Sequence, residues 1–236
     1  MTEPLVLIPG MMCDARLYGP QINTIANERA VMVAPITTGE RVEEMASDIL
    51  TVAPPKFALA GLSMGGIVAM EVQRRAPDRV TRIALLDTTP LAETPAHAAE
   101  REPQIVKVKT GQLIDVMREV MQPKYLAPGT HRIDVLNLVM EMAEALGPDV
   151  FIRQSRALQK RKDQQKTLRQ MKCPVLILCG EHDTMTPVKR HEFMAELIEH
   201  ANLKIIEGAG HLPTLEQPQA TTQALQDWLR QPYVLQ

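Results

Sequence analysis

The sequence predicts an α/β protein with a doubly wound, mostly parallel sheet of about six strands. Six short apolar runs are each bounded by Gly, Pro or charge, which is typical of strands buried on both faces. Segments with helical periodicity lie between most of these runs, and this alternation favours parallel strands joined by right-handed crossovers. With 236 residues, the chain is long enough to bury one sizeable core.

The predicted elements follow in order along the chain. The strands are Leu5–Ile8, Val31–Ala34, Phe57–Ala60, Ile83–Leu86, Val175–Cys179 and Leu203–Ile206. The helices are Leu17–Asn27, Arg41–Val52, Met64–Arg75, Val188–His200 and Ala220–Leu229. Helices between parallel strands must cover both faces of the sheet.

The alternation breaks between about Pro90 and Lys172. This stretch has mainly helical patterns, punctuated by Pro and Gly, and a strand pattern resumes after it at Pro174. We interpret residues 90–172 as an all-helical insertion and not as a separate domain. The predicted core therefore comprises residues 1–89 and 173–236.

Composition narrows the class of protein. The formal net charge of -2 gives no reason to expect nucleic acid as a partner, so a small molecule is the expected ligand. No basic leader or long apolar span is visible, which favours a cytoplasmic protein without a membrane span. Three cysteines without paired spacing indicate free thiols, and we expect neither a metal site nor another cofactor.

A serine in a glycine-rich turn is the strongest chemical signal. Gly61-Leu62-Ser63-Met64-Gly65 follows a predicted strand and opens a predicted helix. Such a turn lifts the serine hydroxyl above the sheet, and the glycines are needed because side chains there would collide with neighbouring backbone. We predict that Ser63 is a nucleophile rather than an incidental turn residue.

A serine hydroxyl is weakly nucleophilic and needs an adjacent base. Of the six histidines, only His211 lies in a glycine-flanked loop directly after the last predicted strand, and it is the predicted general base. Four others lie in helical, polar contexts and are interpreted as solvated or packing residues: His97, His131, His191 and His200.

The base in turn needs an acceptor that fixes its tautomer. Asp183 follows the strand Val175–Cys179 and should emerge at the carboxyl edge of the sheet beside Ser63. Glu181 and His182 are competing side chains in the same loop. An alternative role for Asp183 is to cap the helix that begins near Pro187.

Backbone amides are expected to stabilise the oxyanion of the tetrahedral intermediate. Met64 follows the nucleophile and supplies the first amide. Pro9-Gly10 follows the first strand and allows a turn that aims the Met11 amide inward, with Met12 as the alternative. A turn leading to a helix capped by Asp14 is compatible with this role.

Together these motifs resemble the α/β-hydrolase superfamily over nearly the whole chain: the PG loop, GLSMG, LLDTTP, CPVLILCGEHDTMTP and GAGHLPTLEQP. The chain order Ser, Asp, His is the order of that fold. The resemblance implies a serine esterase-like enzyme without a cofactor, in which residues 90–172 form a helical cap. Many relatives have His-Gly where this chain has Pro9-Gly10, and the short start implies that two leading strands are absent.

The substrate is predicted from the residues expected at the pocket rim. Met11, Met12, Met64, Met185 and Leu212 would form an apolar, adaptable surface, although methionines also serve as core. We expect a small, mainly apolar carboxylic ester without strong charge, cleaved through an acyl-enzyme intermediate.

Other activities stay open. A lactonase or a carbon–carbon bond hydrolase could use the same triad, and a non-catalytic ligand-binding protein is a further alternative. An acyl thioesterase is suggested by a basic run that could bind carrier phosphates, although a solvated helix face is the simpler explanation. This run contains Arg153, Arg156, Lys160, Arg161, Lys162, Lys166, Arg169 and Lys172.

Overall fold

The computed structural model describes residues 2–232 and contains six strands alternating with helices. The strands are β1 (Leu5–Ile8), β2 (Val31–Val33), β3 (Phe57–Leu62), β4 (Val80–Leu86), β5 (Val175–Gly180) and β6 (Ala201–Ile206). The helices are α1 (Gly19–Ile25), α2 (Val42–Val52), α3 (Met64–Arg75), α4 (Pro95–Lys109), α5 (Leu113–Val120), α6 (Arg132–Leu146), α7 (Pro148–Gln159), α8 (Gln165–Arg169), α9 (Val188–Glu196), α10 (Pro213–Glu216) and α11 (Pro218–Arg230). Two 3₁₀ turns cover Ala15–Tyr18 and Pro123–Tyr125.

All six strands pair in parallel, in the order β2-β1-β3-β4-β5-β6. The predicted α/β class and the strand count are confirmed. The chain steps from β1 outward to β2 and then returns across β1 to β3. The order therefore reverses beside β1 and β3, which is where parallel sheets of this kind form a crevice at their carboxyl edge.

Two apolar clusters lie on opposite faces of the sheet. Successive residues of a strand point to opposite faces, so Leu5 and Leu7 join one cluster while Val6 and Ile8 join the other. The first cluster includes residues of α1 and α11, the second includes residues of α2, α3 and α9, and helices between β4 and β5 contribute to both. This division makes the sheet doubly wound.

The edge strands differ from the prediction of burial on both faces. β2 is partly exposed throughout, and most of β6 is partly or fully exposed. Each edge strand has a single neighbour, and the helical layers extend less far over it than over the centre. The inner strands β1, β3 and β5 are completely buried.

The first predicted helix also differs. Residues 15–18 form a 3₁₀ turn, with Asp14 accepting from the Arg16 amide as the predicted cap, and the α-helix begins only at Gly19. Pro20 lies in the first turn of α1, where its missing N–H costs no hydrogen bond.

Residues 90–172 contain five α-helices and no strand. We call residues 90–172 the helical segment. The helical segment lies between β4 and β5 in the chain, so it begins and ends at two adjacent inner strands of the sheet. Within residues 2–232, no helix is both long and apolar enough to cross a membrane.

Candidate functional site

Ser63 stands at the junction between β3 and α3. Its φ of 55° and ψ of -117° place it in a strained conformation that non-glycine residues rarely adopt. Its amide donates to the carbonyl of Leu86 on β4 at 2.9 Å. The strained turn is thus held by the neighbouring strand and projects the side chain beyond the sheet.

The two glycines around Ser63 are required by close backbone contacts. A Cβ atom on Gly65 would lie 2.1 Å from the carbonyl oxygen of Ile8 in β1, and one on Gly61 would lie 2.3 Å from the carbonyl oxygen of Gly65. Both distances are far inside van der Waals contact. The steric role predicted for these glycines agrees with this geometry.

His211 reaches Ser63 from the loop after β6. Its Nε2 lies 3.0 Å from the Ser63 Oγ, and its backbone amide donates to the Tyr125 carbonyl at 2.8 Å. Glu216 fixes the loop, because its carboxylate accepts hydrogen bonds from the amides of Gly210 and Leu212, each at 2.9 Å. These hydrogen bonds hold the loop in position beside Ser63.

Asp183 completes a line of three side chains. Its Oδ2 lies 2.8 Å from the His211 Nδ1, and since an ionised carboxylate only accepts, the Nδ1 carries the hydrogen. Its Oδ1 accepts from the amides of Met185 and Thr186, and the Thr186 hydroxyl donates to Oδ2 at 2.6 Å. Burial alone would raise the pKa of Asp183, but His211 and these hydrogen bonds lower it to about 2.

Glu181 and His182, the two competing side chains near Asp183, contact Gly208 and each other rather than Ser63. The Glu181 carboxylate accepts from the Gly208 amide at 3.1 Å, and His182 lies 3.6 Å from the same carboxylate, with both side chains about half exposed. Pro187, not Asp183, occupies the N-cap of α9. Asp183 instead closes the turn that precedes this helix.

The loop after β1 lies directly against the serine. A Cβ atom on Gly10 would be 3.5 Å from the Ser63 Cβ, and Met11 and Met64 line the same cavity as Ser63. Within residues 2–232, the amides of Met11 and Met64 donate to no protein acceptor. They are therefore available to a bound oxygen atom.

Met12 has a different environment from the one we predicted. Its φ is 53°, its side chain is fully buried, and it does not line the cavity. Its amide donates to the Gln154 Oε1 at 2.8 Å, so this amide is occupied. The Gln154 side chain also donates to the Ile36 carbonyl at 2.9 Å and joins α7 to two loops of the core.

Asp87 is a buried carboxyl group to which the sequence analysis assigned no role. It follows β4 with a φ of 42°, and its Oδ1 accepts from the Gly180 amide at 2.9 Å, while Oδ2 is buried and has no hydrogen-bond partner in the described part of the chain. Burial, and then the nearby charge of Asp183, raise the pKa of Asp87 well above its usual range. Burial in this position therefore favours the neutral form of the Asp87 carboxyl.

Thr88 and His191 support the serine turn from behind. The Thr88 hydroxyl donates to the Ser63 carbonyl at 2.7 Å, and the Thr88 amide donates to the His191 Nε2 at 3.0 Å. His191 is fully buried, as expected for a packing residue, and burial lowers its pKa to about 4. It remains a neutral acceptor at physiological pH.

One group of three possible metal ligands lies in the described part of the chain. Side-chain atoms of Asp87, Asp183 and His211 are within 4.8 Å of one another. The hydrogen bond between Asp183 and His211 uses two of these groups, and the neutral Asp87 carboxyl is a poor cation ligand. This arrangement suits proton transfer better than metal binding.

A cavity of about 350 Å³ opens above Ser63 and His211. The predicted rim residues Met11, Met64, Met185 and Leu212 all line it. The helical segment contributes a large part of the remaining wall: Leu91, Ala92, Glu93, Thr94, His97, Arg101, Met117, Val120, Met121, Val139, Leu158 and Arg161. The cavity is apolar around the serine and charged at another part of its wall.

Comparison with known proteins identifies the family. The sequence model of the Alpha/beta hydrolase family matches residues 14–224, which is most of the chain. This chain belongs to the alpha/beta hydrolase family. A solved esterase of this fold from Thermogutta terrifontis, with malate bound, is 28% identical and covers 97% of this hydrolase and 89% of its own chain, with a TM-score of 0.88.

Two curated proteins are similar in sequence to this hydrolase. A pimeloyl-[acyl-carrier protein] methyl ester esterase from Aromatoleum aromaticum is 26% identical over 204 residues, covering 81% of each chain. A 3-oxoadipate enol-lactonase from Acinetobacter baylyi is 24% identical over 197 residues, covering 79% of this hydrolase and 70% of the lactonase.

Proposed function

We propose that Ser63, His211 and Asp183 hydrolyse a carboxylic ester through an acyl-enzyme intermediate. The chain is a hydrolase that acts on ester bonds, in keeping with its esterase and lactonase relatives. The observation that carries the assignment of residues is the continuous hydrogen-bonded line from Ser63 Oγ to His211 at 3.0 Å and on to Asp183 at 2.8 Å.

The first half-reaction forms the acyl-enzyme. The Ser63 Oγ attacks the ester carbonyl carbon while His211 Nε2 takes the hydroxyl proton, giving a tetrahedral intermediate. Asp183 holds the imidazole in the tautomer with Nε2 free and stabilises the imidazolium that forms. When the carbon–oxygen bond to the leaving group breaks, His211 returns the proton to the departing alcohol.

The second half-reaction is hydrolysis of the acyl-enzyme. His211 takes a proton from a water molecule, whose oxygen attacks the acyl carbon, and the proton then returns to Ser63 as the carboxylic acid leaves. In both half-reactions, we assign the negative oxygen of the intermediate to the amides of Met64 and Met11. Support comes from their position in the cavity wall and from their lack of a protein acceptor.

The helical segment, in this proposal, acts as a cap. Its residues form much of the cavity wall opposite the sheet edge, which excludes bulk water from the reacting atoms. Gln154 of α7 also holds the Met12 amide, so the segment supports the loop that carries Met11. Both the helical segment and the core would thus contribute residues to substrate binding and to catalysis.

Hydrolysis of a lactone is the second candidate, and the similarity to an enol-lactonase favours it. A lactone is an internal ester, so the same attack opens its ring and leaves the alcohol attached to the acid. The same residues would serve, and only the shape of the cavity would select between the two substrates. Parallel assays with an open-chain ester and its lactone separate them.

Replacement of Ser63 tests the proposed nucleophile. We expect Ser63→Ala to lower kcat on p-nitrophenyl esters by at least about 10⁴-fold and to abolish labelling by a fluorophosphonate, while the circular dichroism spectrum is unchanged. Ser155→Ala is a matched control, because Ser155 is also buried but its hydroxyl has no partner and lies outside the cavity wall. Full turnover by the Ser63 variant would refute the assignment.

A further inference from the structure

The cavity above Ser63 has a basic end. Three arginines line it, each from a different element: Arg101 from α4, Arg161 from the turn after α7 and Arg190 from α9. Glu93 lines the same region. None of these four residues was singled out as part of the substrate pocket from the sequence.

The basic end carries more positive than negative charge. Glu93 pairs with Arg101 at 2.8 Å and with Arg161 at 3.1 Å, and its side chain is 3% exposed. Arg190 donates to the neutral Thr89 hydroxyl at 2.9 Å, and within residues 2–232 no carboxylate oxygen forms an ion pair with it. The basic end therefore holds three guanidinium groups and one carboxylate, which pairs with only two of them.

These arginines are partly withdrawn from water. The side chains of Arg101 and Arg161 are 17% and 12% exposed. Burial lowers the pKa of Arg161, Glu93 opposes the decrease, and the charges of Arg101 and Arg190 add to it. Each guanidinium has five N–H donors, and among residues 2–232 the Arg190 side chain makes a single hydrogen bond. Excess charge and free donors both favour a bound anion.

The basic end lies close to the reacting serine. Arg190 donates to Thr89, and the adjacent Thr88 donates to the Ser63 carbonyl, so two neighbouring residues link Arg190 to the serine turn. Adjacent Cα atoms are only about 3.8 Å apart. Ser63 and the three arginines line the same cavity, so an acyl group attached to Ser63 can extend toward the arginines inside it.

We infer that Arg190, with Arg101 and Arg161, binds a carboxylate at the far end of the acyl chain, so that the substrate is a monoester of a dicarboxylic acid. Arg101 and Arg161 already hold the carboxylate of Glu93, which shows that the cluster suits this planar group. The inference depends on the proposed function. It also replaces the expectation, from the methionine-rich rim, of an acyl group without strong charge.

Matched substrates test the inference. Monomethyl adipate and methyl hexanoate have acyl chains of the same length and differ by one terminal carboxylate. We expect the wild-type kcat/KM to be at least about tenfold higher for the charged ester, since one hydrogen bond to a charged group contributes about 1.5–3 kcal/mol. Equal rates on the two esters would overturn the inference.

Arg190→Gln is the decisive variant, because it leaves both ion pairs of Glu93 in place. The preference for monomethyl adipate should fall by about tenfold or more, mainly through KM, and Arg190→Lys should restore part of it. Arg118→Gln is the matched control, since Arg118 lies outside the cavity wall and its side chain is 67% exposed. An unchanged preference in Arg190→Gln would show that the arginines only hold the helical segment in place.

Binding of adipate separates the two proposals, because it does not depend on turnover. Calorimetry with wild type and Ser63→Ala should show adipate binding that weakens with salt and weakens about tenfold or more in Arg190→Gln. Hydrolysis of neutral esters without adipate binding would refute the carboxylate site and leave the proposed function standing. Adipate binding without any esterase activity would keep the carboxylate site but refute the proposed function and, with it, the monoester substrate. Tighter binding of inorganic phosphate than of adipate would refute the carboxylate assignment.

Discussion

Replacement of Asp87 by Asn tests whether a neutral carboxyl group lies beside the Asp183–His211 pair. Asp87, Asp183 and His211 bring their side-chain atoms within 4.8 Å of one another. Asn is similar in shape to a protonated Asp and keeps an oxygen that can accept from the Gly180 amide. If Asp87 is neutral, Asp87→Asn changes little in the charge around His211.

Coulomb's law gives the effect on His211 that an ionised Asp87 would have. A negative charge on Asp87, at most 4.8 Å from the imidazolium and with an effective dielectric constant of about 20, would stabilise the imidazolium by about 3.5 kcal/mol or more, from 332/(20 × 4.8). That energy corresponds to about 2.5 pH units. Removing such a charge would move the pH dependence of catalysis by a large and easily measured amount.

The assay is the pH profile of kcat/KM for a p-nitrophenyl ester. The proposed mechanism needs an unprotonated general base, so kcat/KM should rise with pH. For the neutral Asp87 that the structure indicates, the midpoint of this rise in Asp87→Asn should lie within about 0.5 pH unit of the wild type. Asp134→Asn, at a site that is 79% exposed, is the matched control. A shift of about two units to lower pH would refute the reasoning.

Stability gives a second readout of the same variant. The pKa of Asp87 is raised by burial and by Asp183, so above pH 3.8, the usual value for Asp, the unfolded chain loses a proton that the folded chain keeps. Wild-type stability therefore decreases as the pH rises through this range, and Asp87→Asn removes this loss. We expect the difference in Tm, variant minus wild type, to increase from pH 4 to pH 7. A difference in Tm that does not vary with pH would contradict the neutral assignment.

Two further predictions concern residues that support the site. His191 has a pKa of about 4 when folded against 6.5 ordinarily, so it should cost the wild type about 3 kcal/mol of stability as the pH falls from 6.5 to 4. Urea unfolding should show a smaller fall in His191→Gln, and an unchanged fall would assign the loss to other groups. Gln154→Leu removes the acceptor of the Met12 amide and the donor to the Ile36 carbonyl. We expect this variant to lower the free energy of unfolding by about 1–3 kcal/mol. It should also lower kcat more than it raises KM. Gln159→Leu, which removes contacts to Ala98 and Glu102 outside the cavity wall, should leave kcat unchanged; an equal loss in both variants would argue against the role of Gln154.

The three residues of the hydrogen-bonded line could be predicted because each follows a strand. Ser63 follows β3, Asp183 lies three residues beyond β5, and His211 follows β6 in the next loop. In a parallel sheet the carboxyl ends of the strands meet at one edge, so apolar runs in the sequence locate this edge. Asp87 follows β4 at the same edge, and the same rule could have selected it.

Element boundaries were less predictable where a charge enters a strand. The prediction began β4 at Ile83, whereas the strand begins at Val80. Arg82 interrupts the apolar run, but its buried guanidinium pairs with Glu3 at 2.7 Å and donates to the Trp228 carbonyl. Glu3 is 79 residues away from Arg82 in the chain, so no local sequence pattern reveals this ion pair.

The basic end of the cavity shows why the substrate is harder to predict than the chemistry. The sequence analysis noted a run of basic residues between Arg153 and Lys172, yet of these residues only Arg161 lines the cavity. Arg156 pairs with Glu102 and Lys162 with Glu43, as the simpler explanation of a helix face requires. Arg101 and Arg190 lie outside the run and reach the cavity from α4 and α9. The three arginines come from separate elements that are distant in sequence, so a run of charge that is local in the sequence does not identify the residues that line the cavity.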